Sequence, residues 1–241
     1  MEEYENLYEK IQEMLGNNPG SLKIMEDQVD MDLQMEYFEC SKRLREEKEE
    51  SWALDLSQYL KEPGYSPEVK KEILARLATI EKVECYRIIE SFVKEGEESL
   101  HQWALLSLNE SRLQLESKIM DENQVFISTG LGGRDQKLRY FVVLMTRSRS
   151  DLTAIHQMVI QNEFEYILRK FDAEVEEVNF SGYLSTIMLL LPMNYSLRTV
   201  FNEAIQECNR YGDFLNDDFI VTNVKTLSFQ EIKEFLEPKS D

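Results

Sequence analysis

Residues 137–146 read KLRYFVVLMT, and residues 183–191 read YLSTIMLLL. Each stretch is a short, almost unbroken apolar run rich in β-branched, aromatic and large aliphatic residues, which is typical of a buried strand. Within each run, apolar side chains occupy both the odd and the even positions, so they point to both faces. We therefore predict that these two runs are the central strands of a sheet that is buried on both faces.

Outward from these runs, the pattern alternates between the period of a helix and the period of a strand. The stretch 174–180 carries three glutamates, which is typical of a protected sheet edge. In chain order, the pattern predicts strands at 124–129 and 137–146, a helix from Ser150 or Asp151 to Phe171, strands at 174–180 and 183–191, a helix at 197–211, a strand at 219–225 and a helix at 228–236.

From residue 137 onward, this order is strand, helix, strand, strand, helix, strand, and Ser181-Gly182 forms the tight turn between the middle strands. The order resembles the split βαβ arrangement of ferredoxin-like folds. The chain adds one strand before this arrangement and one helix after it. Because this fold carries many unrelated activities, the resemblance implies an architecture and no particular function.

The second face of the predicted sheet needs a covering layer. We favour packing within the chain, either on the N-terminal half or on the closing helix at 228–236. The alternative is a homodimer that joins two copies sheet to sheet through this face.

The N-terminal half has a helical repeat between residues 51 and 119. The segment SPEVKKEILARLA at 66–78 aligns with ESLHQWALLSLN at 98–109. The preceding segments YLKEP at 59–63 and FVKEG at 92–96 also align. Helix pairs that recur at this distance resemble HEAT-like repeats, which implies an antiparallel helical array.

Two further helical patterns precede this array. Residues 1–15 have apolar residues at helical spacing, and GNNPGS at 16–21 ends the pattern. Residues 22–50 are helical in pattern but polar, with a thin stripe of Leu33, Tyr37, Cys40 and Leu44. The sequence thus predicts an α+β protein with a helical, HEAT-like domain at 1–122 and a ferredoxin-like α/β domain at 123–241.

The charge of the chain is strongly negative, with a formal net charge of −19. Residues 1–125 contain 29 acidic and 15 basic residues, whereas residues 126–213 contain 11 and 9. This balance opposes binding to phosphate backbones, so it disfavours nucleic acid as a partner. An acidic helical surface instead favours a protein partner with a basic segment.

The cysteines and the apolar runs indicate the compartment. Cys40, Cys85 and Cys208 are odd in number and far apart, as expected for thiols in a reducing environment. The acidic start MEEYENLYEK lacks the layout of a signal peptide, and the run 187–191 is too short to cross a bilayer. We expect a cytoplasmic protein with no membrane insertion.

The most site-like segment is STGLGGRDQKLR at 128–139. Glycine-rich turns can direct several backbone N–H groups at an anion, and nearby basic side chains would assist. The alternative is a plain hairpin loop between the strands at 124–129 and 137–146, in which the glycines supply positive φ angles. The candidate contact residues are Gly130, Gly132, Gly133, Arg134, Lys137 and Arg139.

Three other residues are candidates for contact with a ligand or partner. Arg147 and Arg149 lie in TRSRSD, just before a predicted helix, where they could bind phosphate or RNA; a solvated loop is the alternative. Trp103 could anchor a peptide in a groove, and the alternative is a place in the core of the repeat.

The sequence contains no recognisable catalytic or metal-binding motif. His101 and His156 have no Cys, Asp or Glu partner at ligand spacing, and there is no GxSxG, HExxH or Cys–His arrangement. We therefore predict a protein that is not an enzyme and needs no cofactor or metal. The favoured function is a protein-interaction or adaptor module; the alternatives are a small-molecule-sensing regulatory module and an RNA- or ribosome-associated factor.

Overall fold

The structure is a computed structural model that describes residues 22–47, 51–62, 64–120 and 125–237. The helix expected at 1–15 lies outside these residues. The described chain is a mixed α+β protein and divides between Ile127 and Ser128 into a helical unit and an α/β unit. No helix among the described residues is long and apolar enough to cross a membrane.

Two helices of the helical unit begin after a residue whose side chain caps them. Asp30 accepts hydrogen bonds from the backbone N–H groups of Asp32 and Leu33, and Ser66 caps a helix that has Pro67 in its first turn. Short 3-10 turns span Ser57–Lys61 and Glu98–Leu100. The α-helices are α1 (Met31–Glu46), α2 (Ser51–Leu56), α3 (Pro67–Ala78), α4 (Val83–Glu95) and α5 (His101–Met120).

The core of the helical unit forms around α5, which packs on α1, α3 and α4. Trp103 of α5 is 2% exposed, and its ring meets Tyr37 of α1 edge to face at 5.1 Å between centroids. Ile73, Leu74 and Leu77 of α3 are fully buried in the same cluster. Burial of each such side chain stabilises the fold by about 1.5–3 kcal/mol.

Two short strands join the beginning and the end of the helical unit. β1 (Leu22–Ile24) pairs in parallel with β2 (Val125–Ile127), and the Met25 N–H donates to the Ile127 carbonyl at 2.9 Å. Two sequence expectations are wrong: residues 22–30 are not helical, since the helix expected at 22–50 begins at Met31, and the strand expected at 124–129 does not pair with the strand at 137–146. The pairing joins residues about a hundred positions apart, which no local pattern can indicate.

The α/β unit is built on an antiparallel sheet. β4 pairs with β6 along its full length, from Lys137 opposite Pro192 to Met145 opposite Leu184, and β5 lies on the far side of β6. β3 and β7 both pair with the other edge of β4: β3 with its first two residues, and β7 with its middle, from Phe141 to Val143. The elements are β3 (Gly133–Arg134), β4 (Lys137–Met145), α6 (Ala154–Lys170), β5 (Glu174–Ser181), β6 (Leu184–Pro192), α7 (Leu197–Asn209), β7 (Ile220–Thr222) and α8 (Phe229–Leu236).

Both faces of the two central strands are buried, as their sequences predict. One face, which includes Val142 and Ile187, shares a core with Phe164 of α6 and Phe201 of α7. The opposite face packs on α8; its residues cluster with Ile232, which is fully buried. The closing helix thus covers the second face within the chain, which leaves less apolar surface for the homodimer alternative.

Two boundaries are set by contacts that the sequence pattern does not show. The Leu152 N–H donates to the Gly182 carbonyl at 2.9 Å, which keeps the chain extended, so α6 begins after Thr153 and not after Ser150 or Asp151. The tight turn between β5 and β6 is Gly182-Tyr183, with Gly182 at φ +61°, because Ser181 still pairs with Leu184.

Candidate functional site

Helix α1 is fixed by one buried carboxylate. Glu110 of α5 is 8% exposed and accepts hydrogen bonds from Tyr37 Oη at 2.5 Å, Ser41 Oγ at 2.7 Å and Arg45 Nε at 3.1 Å. Burial, followed by the neighbouring Glu110, raises the pKa of Tyr37 well above its ordinary value. The three donors lie on one side of α1, so they fix which side of the helix faces away from the core.

The outward side of α1 carries an apolar strip. Met31, Met35 and Phe38 stand at positions i, i+4 and i+7, which share one side of a helix. Met35 is 60% exposed and Phe38 is 44% exposed. We call these three residues the α1 strip.

A row of acidic residues runs beside the α1 strip. Asp32, Glu36 and Glu39 are exposed and lie on the adjacent side of the same helix. Glu36 is 2.9 Å from Lys71 Nζ, whereas Asp32 and Glu39 form no ion pair within the described residues. The strip therefore combines exposed apolar surface with negative charge.

The same imbalance extends over the helical unit. Between residues 22 and 120, the described residues include 20 acidic and 13 basic side chains. Nine of the basic residues are in ion pairs with nine of the acidic ones. Eleven acidic side chains consequently have no ion pair within the part of this unit that the structure describes.

The glycine-rich segment is a packing element of the α/β unit. A Cβ atom on Gly130 would lie 1.7 Å from the Val224 carbonyl oxygen, so only glycine allows this approach. Gly132 has a φ of +67°, and Gly133 lies in β3. The glycines do not form the expected hairpin between strands at 124–129 and 137–146; the local hairpin joins β3 to β4.

The turn of that hairpin is Asp135-Gln136, with φ angles of 50° and 64°. Two consecutive positive φ angles between paired strands are characteristic of a type I′ turn. The positive φ angles that we expected at the glycines are thus also adopted by two non-glycine residues.

The basic side chains beside this loop are paired with acids of β5 and its approach. Glu174 contacts Arg134 Nη2 at 2.8 Å and Lys137 Nζ at 2.7 Å, and Asp172 lies 3.2 Å from the same lysine nitrogen. Arg139 pairs with Glu176 and donates from Nη1 to the Leu131 carbonyl at 2.8 Å. Hydrogen bonds from Lys137 and then Arg134 hold the pKa of Glu174 below its ordinary value. The structure brings the three predicted basic residues together, but their charges are matched.

The other predicted site residues lie elsewhere. Arg147 follows β4, at the opposite end from Lys137, and pairs with Asp213 at 3.2 Å and Asp217 at 2.8 Å. Arg149 is exposed at a φ of 53° and forms no ion pair within the described residues. These two arginines therefore do not join the cluster around the glycine-rich loop.

Trp103 lies in the core of the helical unit. Its Nε1–H donates to the Lys71 carbonyl at 2.9 Å, and the Lys71 ammonium lies 4.6 Å from the ring centroid. Because only 2% of its surface is exposed, Trp103 lies in the core of the helical unit, as the alternative interpretation predicts. It is therefore not exposed to anchor a peptide in a groove.

The histidines belong to separate local structures. His156 stacks on Phe214 at 4.3 Å and forms a capping box with Thr153 at the start of α6. His101 begins α5 in the helical unit. Among the described residues, no group of three or more His, Cys, Asp or Glu side chains is arranged to hold a metal ion.

The α1 strip was missed by the sequence prediction, although its signal was present. We assigned the apolar side of residues 22–50 to Leu33, Tyr37, Cys40 and Leu44. Met31, Met35 and Phe38 form a second apolar line at helical spacing, which a single-stripe interpretation leaves out.

Comparisons with known proteins identify no family. No family model matches the sequence, and no curated protein aligns with it significantly. Among solved structures, a protein assigned as a transposase from Deinococcus radiodurans R1 is similar at 13% identity and a TM-score of 0.37, over 42% of this chain and 88% of that one. A REP-associated tyrosine transposase bound to a REP hairpin is similar at 11% identity and a TM-score of 0.32, over 41% of this chain and 61% of that one.

Proposed function

We propose that this chain is a non-enzymatic protein-interaction module whose α1 strip docks an amphipathic, basic segment of a partner protein. The observation that carries the proposal is the exposure of Met35 and Phe38 beside the acidic residues Asp32 and Glu39. A partner that buries the strip would remove apolar surface from water, which is the main favourable term in most protein association.

The residues of the strip suit a docking role. Methionine is flexible and polarisable, so Met31 and Met35 can fit side chains of different shapes. Phe38 supplies the aromatic surface that often dominates binding free energy. The adjacent acidic row would attract lysine and arginine side chains and speed the encounter.

The architecture supports this role. We interpret the helical unit as a short HEAT-like array and the α/β unit as ferredoxin-like. Support for the second interpretation comes from the strand order β7-β4-β6-β5 with α6 and α7 packed on one face. In this account, the buried Glu110 cluster holds α1 rigid, so little conformational entropy is lost when a partner binds.

An RNA- or ribosome-associated role has less support. Four of the five basic residues that would bind RNA are already in ion pairs. Arg134 and Lys137 pair with Glu174, Arg139 pairs with Glu176, and Arg147 pairs with Asp213 and Asp217. To bind phosphate, each of these four would first give up an existing ion pair, which leaves Arg149 as the one candidate without an ion pair within the described residues.

The test compares variants in parallel affinity captures from the native host. In Met35→Ser/Phe38→Ser, the strip loses its two most exposed apolar side chains, and we expect a stoichiometric partner to be lost. Val83→Ser is the matched control because Val83 is 54% exposed on another helix of the same unit. Equal recovery of the partner by the double variant and the control would contradict the proposal.

A further inference from the structure

The α/β unit contains an open cleft between α7 and the edge strand β7. Its volume is about 610 Å³, which lies within the range of small-molecule sites. The α7 side of the cleft contributes Leu197, Arg198, Asn202 and Ile205, and the opposite side runs from Asp217 to Val224. The cleft lies within one unit and shares no residue with the α1 strip.

The floor of the cleft is apolar and firmly packed. Ile205 is 1% exposed and belongs to the core beneath the sheet. Phe219 packs on the buried Phe201 with ring centroids 5.1 Å apart, and Val221 lies in β7. A ligand with an apolar group would meet a surface that is already fixed by the core.

Two opposite charges also line the cleft. Arg198 stands in the first turn of α7, and Asp218 precedes Phe219. Neither side chain forms an ion pair within the described residues, although most basic side chains of this unit do. The neighbouring Asp217 is already held by Arg147 at 2.8 Å.

The start of α7 adds to the attraction for an anion beside Arg198. Ser196 is the N-cap residue, but its side chain makes no capping hydrogen bond within the described structure. The first backbone N–H groups of a helix carry a partial positive charge and bind carboxylates when no side chain caps them. A ligand carboxylate in the cleft would pair with Arg198, in the first turn of α7, where the helix dipole also favours negative charge.

We infer that the cleft binds an α-amino acid with an apolar side chain. The ligand carboxylate pairs with Arg198, its ammonium group pairs with Asp218, and its side chain covers Phe219 and Val221, which lie beside the buried Ile205. A ligand with only a negative charge would leave Asp218 facing an anion, and a ligand with only a positive charge would leave Arg198 facing a cation. A zwitterion with an apolar tail matches all three features of the lining.

The experiment titrates the full chain with L-phenylalanine and L-leucine at up to about 10 mM, by thermal shift and isothermal calorimetry. Each probe has a matched analogue that lacks one charge: 3-phenylpropionate has no amine, and 2-phenylethylamine has no carboxylate. We expect the amino acids to stabilise the protein and bind at least about tenfold more tightly than either analogue, because each analogue leaves one cleft charge without a partner.

Variants identify the site. Arg198→Gln and Asp218→Asn should each weaken binding about tenfold, and Val221→Trp should block it by filling the cleft. Arg210→Gln is the control, because Arg210 is exposed and pairs with Glu207 outside the lining. All of these variants change partly or fully exposed positions, so the unliganded melting temperature checks that each one folds.

Three results would overturn the inference. They are the absence of stabilisation by both amino acids at the highest concentration, equal affinity for an analogue that lacks a charge, and unchanged affinity in Arg198→Gln. None of these results bears on the α1 strip, because that surface lies in the other unit. Failure of the amino-acid site and failure of the docking proposal are therefore distinguishable.

Discussion

The Arg139 guanidinium donates two hydrogen bonds to the Glu176 carboxylate, from Nε to Oε2 at 2.6 Å and from Nη2 to Oε1 at 3.0 Å. The pair joins β4 to β5 across the intervening strand β6, where Arg139 lies opposite Leu190. Bidentate arginine–carboxylate pairs are among the stronger charged contacts in proteins. Arg139, which the sequence suggested was available to contact a ligand, is thus paired with an acid and helps to hold this end of the sheet together.

The first prediction concerns the neighbouring Glu174, whose pKa lies below its ordinary value of 4.5 because of hydrogen bonds from Lys137 and Arg134. Because this pKa is lower in the folded state than in the unfolded state, the ionised carboxylate stabilises the fold at pH values above the unfolded-state pKa. This stabilisation is lost as the pH falls through the folded-state pKa. In Arg134→Gln/Lys137→Gln, an NMR titration should show the Glu174 pKa moving up toward 4.5.

Glu231 is the internal control for this titration. Its pKa is also lowered, but chiefly by the backbone and side chain of Ser228 at the start of α8. It should keep its value in the double variant. An unchanged Glu174 pKa would show that the two cations do not control it.

The second prediction tests the buried carboxylate that orients α1. Glu110→Ala leaves the Tyr37 and Ser41 hydroxyls without their acceptor, so urea unfolding should show a loss of about 3 kcal/mol or more. Glu98→Ala removes an exposed acid of the same unit that has no ion pair within the described residues, and should change stability by less than about 0.5 kcal/mol. Similar losses in both variants would contradict the role assigned to Glu110.

The third prediction concerns the close approach at Gly130. In Gly130→Ala, the new methyl group would lie 1.7 Å from the Val224 carbonyl oxygen, so the backbone must shift. We expect a loss of about 2 kcal/mol or more in thermal unfolding. Gly64→Ala is the control, because a Cβ there has nothing within 4 Å. Tolerance of Gly130→Ala would mean that the loop does not require glycine for packing.

The fourth prediction tests whether α8 is needed to cover the second face of the sheet. Ile232 is fully buried on this face, whereas Phe235 of the same helix is 73% exposed. Ile232→Asp should destabilise the protein by about 3 kcal/mol or more and expose apolar surface to a fluorescent dye. Phe235→Asp should leave stability almost unchanged, and equal effects of the two substitutions would argue against the packing of α8 on the sheet.

Several elements follow directly from the sequence. The two central strands, and the burial of both their faces, are visible in unbroken apolar runs. The closing helix expected at 228–236 spans Phe229–Leu236, and the capping box that begins it, Ser228 with Glu231, is formed by residues three positions apart. These features depend on neighbours in the chain, so local patterns contain the information.

The remaining features depend on contacts between distant residues. The β1–β2 pairing, the approach of Gly130 to Val224 and the bonds from Tyr37 to Glu110 join positions that only the fold brings together. The charge pairing of Arg139 is of the same kind. The sequence pattern indicated the basic residues and the glycines. It did not indicate that acids of β5 pair with the basic residues, or that packing requires a glycine at position 130.

The proposed function requires the α1 strip and its acidic row to bind a basic partner. The most direct measurement is the affinity of the purified partner at several salt concentrations, for wild type and for Asp32→Asn/Glu36→Gln/Glu39→Gln. The matched control is Asp55→Asn/Glu62→Gln/Glu84→Gln, which removes the same charge from exposed acids elsewhere in the unit. We predict that the first variant binds about tenfold more weakly at low salt and with a flatter salt dependence, while the control behaves like wild type. Equal affinity and equal salt dependence for the two variants would contradict the claim.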